Sequence, residues 1–520
     1  MSRWTPGEDG LMKGPLVRLG LLVFLFLRFS GSVCAATYYI DCAAGSDANS
    51  GTSTSTPWKH VPYMYTSRTG ASIFTGSYTH SAGDRFIFKG GVTCGATSLG
   101  FGSIFMQAGG SSSATDYYGV DKTWFTVASW TQPIIDMQTT MTDWYGNGQN
   151  YFTIDNLEFT GFYWTGNPNS TLVNYIGLGG GNNIIIENCT FTGWTHDTYA
   201  NNTFDDFNAI DGAAASPWND PLTVTNNTCF QNSSAGSSDS GTCVYVFGKA
   251  KATYNHAYNM TSGIVGPGDS TGTAVIAYNT VGPFVASFDP TEHDDNLYPF
   301  DCANVHDNVS FNAAIVPVFV EAYGGCTAYF YNNVLWNPPT VQAGLTIDNY
   351  ATGNDASTTT VYIWNNTIET NSGASQACIR VQNRNSSGSQ VWGTIVLENN
   401  HCISEDTTAE YSVDSGVTIT TFTHDHELLQ THASASAAGY TSIQTYAFSP
   451  TSASSPTVGV GTNLTSNCSS SILLCSDTIY GTVSRSVNAR PSSGSWNIGA
   501  FEFGNLAQPP PPTLLQAGVH

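Results

Sequence analysis

The sequence predicts an all-β chain wound as a right-handed parallel β-helix solenoid, closed at its start by a short N-terminal capping helix. Three observations carry that prediction: a phrase built around asparagine that recurs along most of the chain, β-rich runs separated by turn residues, and a near absence of amphipathic helical periods. The phrase is an apolar residue, an asparagine two or three positions on, and a second short apolar stretch. It reads Ile154-Asp155-Asn156-Leu157-Glu158-Phe159 and Ile186-Glu187-Asn188-Cys189-Thr190-Phe191, and returns around Asn227, Asn279, Asn308, Asn333, Asn366 and Asn400. By subtraction, successive asparagines lie 32, 39, 52, 29, 25, 33 and 34 residues apart, and the weaker phrase at Asn255 splits the 52 into 28 and 24. Self-similarity at such a period marks stacked supersecondary units.

Each element has a physical reason. Runs such as Tyr151-Phe152-Thr153-Ile154 and Val361-Tyr362-Ile363-Trp364 are aromatic and β-branched, which suits strands. Gly, Asn, Ser, Asp and Thr between them are turn formers. Asparagine suits a repeated corner because it tolerates left-handed backbone and bonds locally through its amide, and stacked amides can bond to one another. The helix expected at the cap is Thr56-Pro57-Trp58-Lys59-His60-Val61, with Thr56 as N-cap and Pro57 at the first helical position. A cap is needed because an open solenoid end exposes core and strand edges. A propeller or sandwich array is the competing architecture, and the irregular spacing and missing blade signature speak against it.

At 520 residues the chain exceeds a usual single core, but a solenoid grows lengthwise and escapes that limit. Only 10% of residues are charged and the formal net charge is −23, which excludes a nucleic-acid binder by composition. Lys13, Arg18, the apolar run 19–27 and the small residues through Ala36 form a signal peptide, with cleavage near Ala35 or Ala36. Met12 is an alternative start. The apolar run is too short to span a bilayer, so secretion without a membrane anchor is expected, as a monomer. The expected organisation is a signal peptide over 1–36, a cap with the first coils over 37–122, the β-helix over 123–504, and a proline-rich tail over 505–520. Of the 12 cysteines, the 11 after the leader could form Cys302–Cys326, Cys378–Cys402, Cys468–Cys475, Cys229–Cys243 and Cys42–Cys94, leaving Cys189. Buried unpaired thiols are the alternative, and no cysteine pair has the close spacing of a zinc knuckle.

Thr37-Tyr38-Tyr39-Ile40-Asp41, the stretch Gly45 to Thr52, Thr56-Pro57-Trp58-Lys59 and Gly83-Asp84-Arg85-Phe86-Ile87-Phe88-Lys89-Gly90-Gly91 resemble the opening of secreted right-handed β-helix proteins. Arg490-Pro491 and Trp496-Asn497-Ile498-Gly499-Ala500-Phe501-Glu502 resemble their closing segment. The chain is thus similar to the pectate-lyase-like β-helix superfamily. That resemblance implies a carbohydrate-active protein without choosing among polysaccharide lyase, glycoside hydrolase, epimerase and non-catalytic surface protein.

Positive charge is scarce. Between Lys122 and Arg380 the only Lys or Arg residues are Lys249 and Lys251. On a strand, period two puts both on the outer wall and Ala250 and Ala252 inside. A lysine of depressed pKa can abstract the α-proton of a uronic acid, so both are candidate catalytic residues. A solvated pair that keeps an edge soluble is the plain alternative. Asp205, Asp206 and Asp211 are candidate Ca²⁺ ligands, because clustered carboxylate oxygens suit that ion. The cluster resembles the paired-aspartate calcium site of pectate lyases that use a lysine base, but its third aspartate is displaced. A polar excursion between coils is the alternative. A second constellation, Glu292, His293, Asp294 and Asp295, with His306 and Glu321 beyond it, offers two carboxyls on adjoining coils for acid/base hydrolysis. An Asp- and His-rich turn is its plain reading. Arg380, Arg384 and Glu321 are candidate substrate-binding residues. Tryptophans and tyrosines recur and can stack on sugars, although packing explains most of them. Sequons such as Asn169, Asn259 and Asn385 read mainly as turn residues.

The leading expectation is a secreted polysaccharide lyase that cleaves an acidic extracellular polysaccharide by β-elimination with Ca²⁺. The alternatives are a glycoside hydrolase using the carboxylates at 292–295, or a non-catalytic glycan-binding or adhesive wall.

Overall fold

The computed structural model describes residues 35–140, 142–164, 173–196, 207–212, 222–231, 241–285, 294–322, 324–340, 342–349, 355–373, 375–383, 389–406, 408–478 and 487–503. Among these residues the chain winds through three long sheets in a fixed order, first to second to third and back, as a right-handed parallel β-helix. The first and second sheets hold 13 strands each and the third holds 12. Neighbouring strands are parallel throughout, apart from the opening pair of the third sheet, Met64–Tyr65 with Ser103–Phe105.

The repeated phrase becomes two columns. Its apolar residues stack in register on the first sheet as Ile154, Ile186, Val224, Ala252, Ile276, Val305, Phe330, Ile363 and Leu397, every one buried. The asparagine column stands at the corner between the first and second sheets. Each amide donates to the next coil's amide oxygen, from Asn227 through Asn255, Asn279, Asn308, Asn333 and Asn366 to Asn400, at 2.9–3.1 Å. Each also donates to a backbone carbonyl, so the buried amides are satisfied within the ladder. Glu427 closes the ladder by accepting from Asn400. The residue before each rung takes the left-handed conformation: Asn226, Tyr254, Tyr278, Asp307, Asn332, Asn365 and Asn399. The sequence phrase therefore merged two positions. Asn156 and Asn188 are left-handed corner residues, and the ladder positions of those coils are held by Leu157 and Cys189.

All five expected disulfides are present, and Cys189 is the free cysteine among the described residues. Its amide donates to Asn227 Oδ1 at 2.9 Å, so the thiol sits where the next ladder asparagine would stand.

The expected capping helix at 56–61 does not form. Trp58 spends its N–H on Tyr39 and its carbonyl on the Asp41 N–H, while Asp47 accepts the N–H groups of Lys59 and His60. Those partners leave no backbone groups for a helical ladder. The cap is instead an irregular lid whose buried Trp58 stacks on Tyr38 at 4.5 Å. The one α-helix among the described residues, His432–Ala437, follows the last coil. From there the chain runs back along the asparagine corner as a strap. Asn304, Asn332, Asn365 and Asn399 donate to Ser471, Ser476, Asn497 and Thr462 carbonyls at 2.7–2.9 Å. Buried Arg490 ties Asn332 to Glu502, and Leu464, Leu474 and Trp496 pack on Tyr331 and Trp364.

Candidate active site on the third sheet

On the third sheet, alternation separates wall from core. In strand Val318–Ala322, Val318, Val320 and Ala322 belong to the core, so Phe319 and Glu321 face outward. In strand Leu345–Asn349, Leu345 and Ile347 point in, so Thr346 and Asp348 face outward. Register then aligns two outer rows. One runs Gly177, Asp211, Tyr245, Val265 and Tyr298, and resumes as Phe319, Thr346 and Arg380. The other pairs Phe300 with Glu321 and Glu321 with Asp348.

Glu321 and Asp348 are therefore neighbours on successive coils, both fully buried although they lie outside the core. Tyr245, Phe247, Tyr298 and Phe300 on the preceding coils and Phe319 on the strand of Glu321 form a ring cluster, with neighbouring centroids 4.6–5.2 Å apart. Beyond the carboxyls, Arg380 makes a two-point ion pair with Asp414 at 3.0 and 2.8 Å. Burial alone would raise the Asp414 pKa, but bonds from Arg380 and the Asn383 N–H hold it below the usual carboxylate value. Thr346 Oγ1, between these groups, is buried without a hydrogen-bond partner.

Asn174, Asn208 and Asp211 make a second polar group on the same wall, all three buried. Both amide atoms of Asn174 and the amide oxygen of Asn208 lack protein partners, and a Cβ at Gly177, in register with Asp211, would meet Asn174 Oδ1 at 2.9 Å. Oxygens so gathered suit a hard cation such as Ca²⁺. Of the expected calcium ligands, Asp211 lies here, while Asp205 and Asp206 fall outside the described residues.

The expected lysine pair divides between two elements. Lys251 is exposed on the first sheet, and Lys249 lies in the bend after third-sheet strand Thr242–Gly248. Ala250 and Ala252 are in the core, as the spacing predicted. One strand does not carry both lysines because Gly248, at φ +80°, turns the chain between them. Glu292, His293 and Arg384 fall outside the described residues. Asp294 and Asp295 are buried at the entry to the third sheet, where Asp295 accepts the Val316 N–H at 3.0 Å. His306 is on the first sheet, bonded to Asp307 and stacked on Tyr331, and does not reach the third-sheet wall. Among the described residues, the grouping of Asp301 with Cys302 and Cys326 offers no thiolate, because both cysteines are in a disulfide. Sequence reading placed Glu321 but passed over Asp348, Thr346, Asn174 and the outward ring cluster. Their shared signal is a strand pattern, Phe-Asn-Ala-Ile-Asp, Val-Phe-Val-Glu-Ala and Leu-Thr-Ile-Asp-Asn, with an acid late in each strand.

No family model matches the sequence, and no curated protein matches it significantly. Among solved structures the chain is similar to pectate lyase Pel9A, at 15% identity over 91% of this chain and 98% of that chain, with a TM-score of 0.40. It is similar to the GH136 lacto-N-biosidase from Eubacterium ramulus at 12% identity, 76% and 68% coverage and a TM-score of 0.40. A rhamnogalacturonan lyase matches at 13% identity, 77% and 86% coverage and a TM-score of 0.38. By its own three-sheet coil path, this chain is a right-handed parallel β-helix.

Proposed function

We propose that this protein cleaves glycosidic bonds of an extracellular polysaccharide on the outer wall of its third sheet, with Glu321 and Asp348 as the reacting pair. The observation that carries the reading is their in-register placement on successive coils, outside the core and shielded from water. In-register neighbours on adjacent strands lie about 4.8 Å apart. Side chains leaving backbones at that spacing can set their carboxyls about 5 Å apart, the separation at which one carboxylic acid protonates the leaving oxygen while the other carboxylate attacks the anomeric carbon. Water then displaces the sugar from the second carboxyl, giving its proton to the first. Two carboxyls this close favour one protonated and one ionised partner, which is the division of labour the reaction needs. Ca²⁺ held by Asn174, Asn208 and Asp211 would supply fixed positive charge for orienting sugar oxygens further along the wall.

The test is digestion of a polysaccharide panel with release of reducing ends followed in time. Glu321→Gln and Asp348→Asn should each lose activity by about 10²–10⁴-fold. Full activity in both variants sinks the assignment. A second reading, β-elimination on a uronate, is favoured by one observation. Lys249 follows the strand whose Tyr245 is in register with Asp211, which brings a candidate base and a candidate cation site to one edge. It predicts an ultraviolet-absorbing unsaturated product, abolished by Lys249→Ala and not by Glu321→Gln.

A further inference from the structure

The wall around Glu321 and Asp348 is acidic and aromatic, and almost without positive charge. From residue 123 to 379 the sequence contains two cations, Lys249 and Lys251. Lys251 lies on the first sheet, and Lys249 at the far side of the ring cluster from the carboxyl pair. Arg380, the next cation, reaches the wall with its guanidinium already bonded at two points to Asp414. A polyuronate carries one negative charge per sugar and would have to pass Asp211, Glu321 and Asp348, with Lys249 set apart from the carboxyl pair and Arg380 engaged by Asp414. The remaining surface has the opposite preference. Tyr245 and Phe247 on one strand and Phe300 two coils further on are partly exposed rings, suited to the apolar faces of pyranoses. Thr346 offers a buried hydroxyl without a protein partner, one strand residue removed from Asp348, where a sugar hydroxyl could complete its bonding.

We infer that the substrate is an uncharged glycan, lying along the solenoid axis with its rings on the aromatic coils and the scissile bond over the carboxyl pair. This inference rests on the reading of the third-sheet wall as the glycan site. The test uses the full chain carrying Glu321→Gln in native gels containing neutral β-glucan, xylan, galactomannan, polygalacturonate or alginate, with Ca²⁺ or with chelator. Retardation on at least one neutral glycan is expected, with affinity for uronates weaker by about tenfold or more, the scale of like-charge exclusion. Neutral binding should be insensitive to added salt. Digestion of the same panel by the unsubstituted protein is the parallel measurement if the variant folds poorly, and reducing ends from a neutral glycan are expected. Preferred binding or cleavage of a uronate, with or without Ca²⁺, overturns the inference and leaves the cleavage site standing. No binding and no cleavage on any glycan overturns both. Asp414→Asn, which uncovers Arg380, should strengthen uronate retention severalfold, and unchanged retention would refute the charge argument.

Discussion

Replacing Asn308 by alanine tests whether the amide ladder is a main source of stability. Asn308 Nδ2 donates to the Ile276 carbonyl at 2.8 Å and to Asn333 Oδ1 at 3.0 Å. Its Oδ1 accepts from the backbone and side-chain nitrogens of Asn279 at 3.0 and 2.9 Å. Alanine removes all four bonds and leaves the Asn279 N–H buried without its acceptor. Four net bonds at about 1 kcal/mol each, with the stranded donor toward the upper end of 1–3 kcal/mol, give a loss of about 4–6 kcal/mol. The control is Asn337→Ala, which removes a comparable amide contact, 2.6 Å to Asn312 Oδ1, at an exposed position. At φ +53° alanine also strains this left-handed corner, so the loss should be about 1–2 kcal/mol. Urea denaturation gives both values, and hydrogen exchange at Asn279 should lose protection only in the first variant. A loss below about 1 kcal/mol for Asn308→Ala, or one no larger than that of Asn337→Ala, would refute the reasoning, because buried and exposed amides would then be equivalent.

Three further outcomes are expected. Burial raises the Glu369 carboxyl to about 7, with His432 opposing it. The folded protein therefore holds this proton more tightly than the unfolded chain, and stability present below about pH 4.5 is lost as pH rises toward 7. Glu369→Gln should accordingly raise stability by about 3 kcal/mol at pH 8 and by almost nothing at pH 4, read from melting curves; a pH-independent effect would contradict the burial argument. Cys189→Asn should extend the ladder by one rung, since Cys189 Sγ already faces the Ile154 carbonyl, and raise the midpoint of denaturation by the equivalent of about 1 kcal/mol. Destabilisation would show that Leu157 and its coil cannot accept an amide. Removing the Cys302–Cys326 disulfide, whose sequence separation is 24, should cost about 3 kcal/mol in chemical denaturation, and no measurable loss would mean that the unfolded chain is already constrained there.

Much of the fold was legible in the sequence because stacked coils repeat their chemistry. The core column from Ile154 to Leu397 and the pairs Cys302–Cys326 and Cys378–Cys402 followed from the phrase. Its register was blurred by asparagine doublets such as Asn332-Asn333 and Asn365-Asn366, in which one residue makes the left-handed corner and the next makes the ladder. The same residue type serves two neighbouring duties, and residue counting cannot separate them. The cap failed for a different reason: Thr56-Pro57 is a sound local helix signal, but Asp47 claims the amides of Lys59 and His60 from 12 and 13 residues upstream. The candidate site was the least legible part. Glu321 and Asp348 are 27 residues apart by subtraction, with turns of unequal length between their coils, so only the register of the third sheet brings them together.

The returning strap also changes what kind of solenoid this is. A bare stack obeys nearest-neighbour rules, with each coil held only by the two beside it. Here one segment grips coils carrying Asn304, Asn332, Asn365 and Asn399 at once, so none of these can open without breaking bonds that also serve the others. The far end of the helix should therefore behave as one locked block, resistant to unravelling from its tip and released as a unit when the strap is cut. Its completion must also await synthesis of the strap, so the coils from Asn304 to Asn399 become durable only after the chain has run on past Asn497.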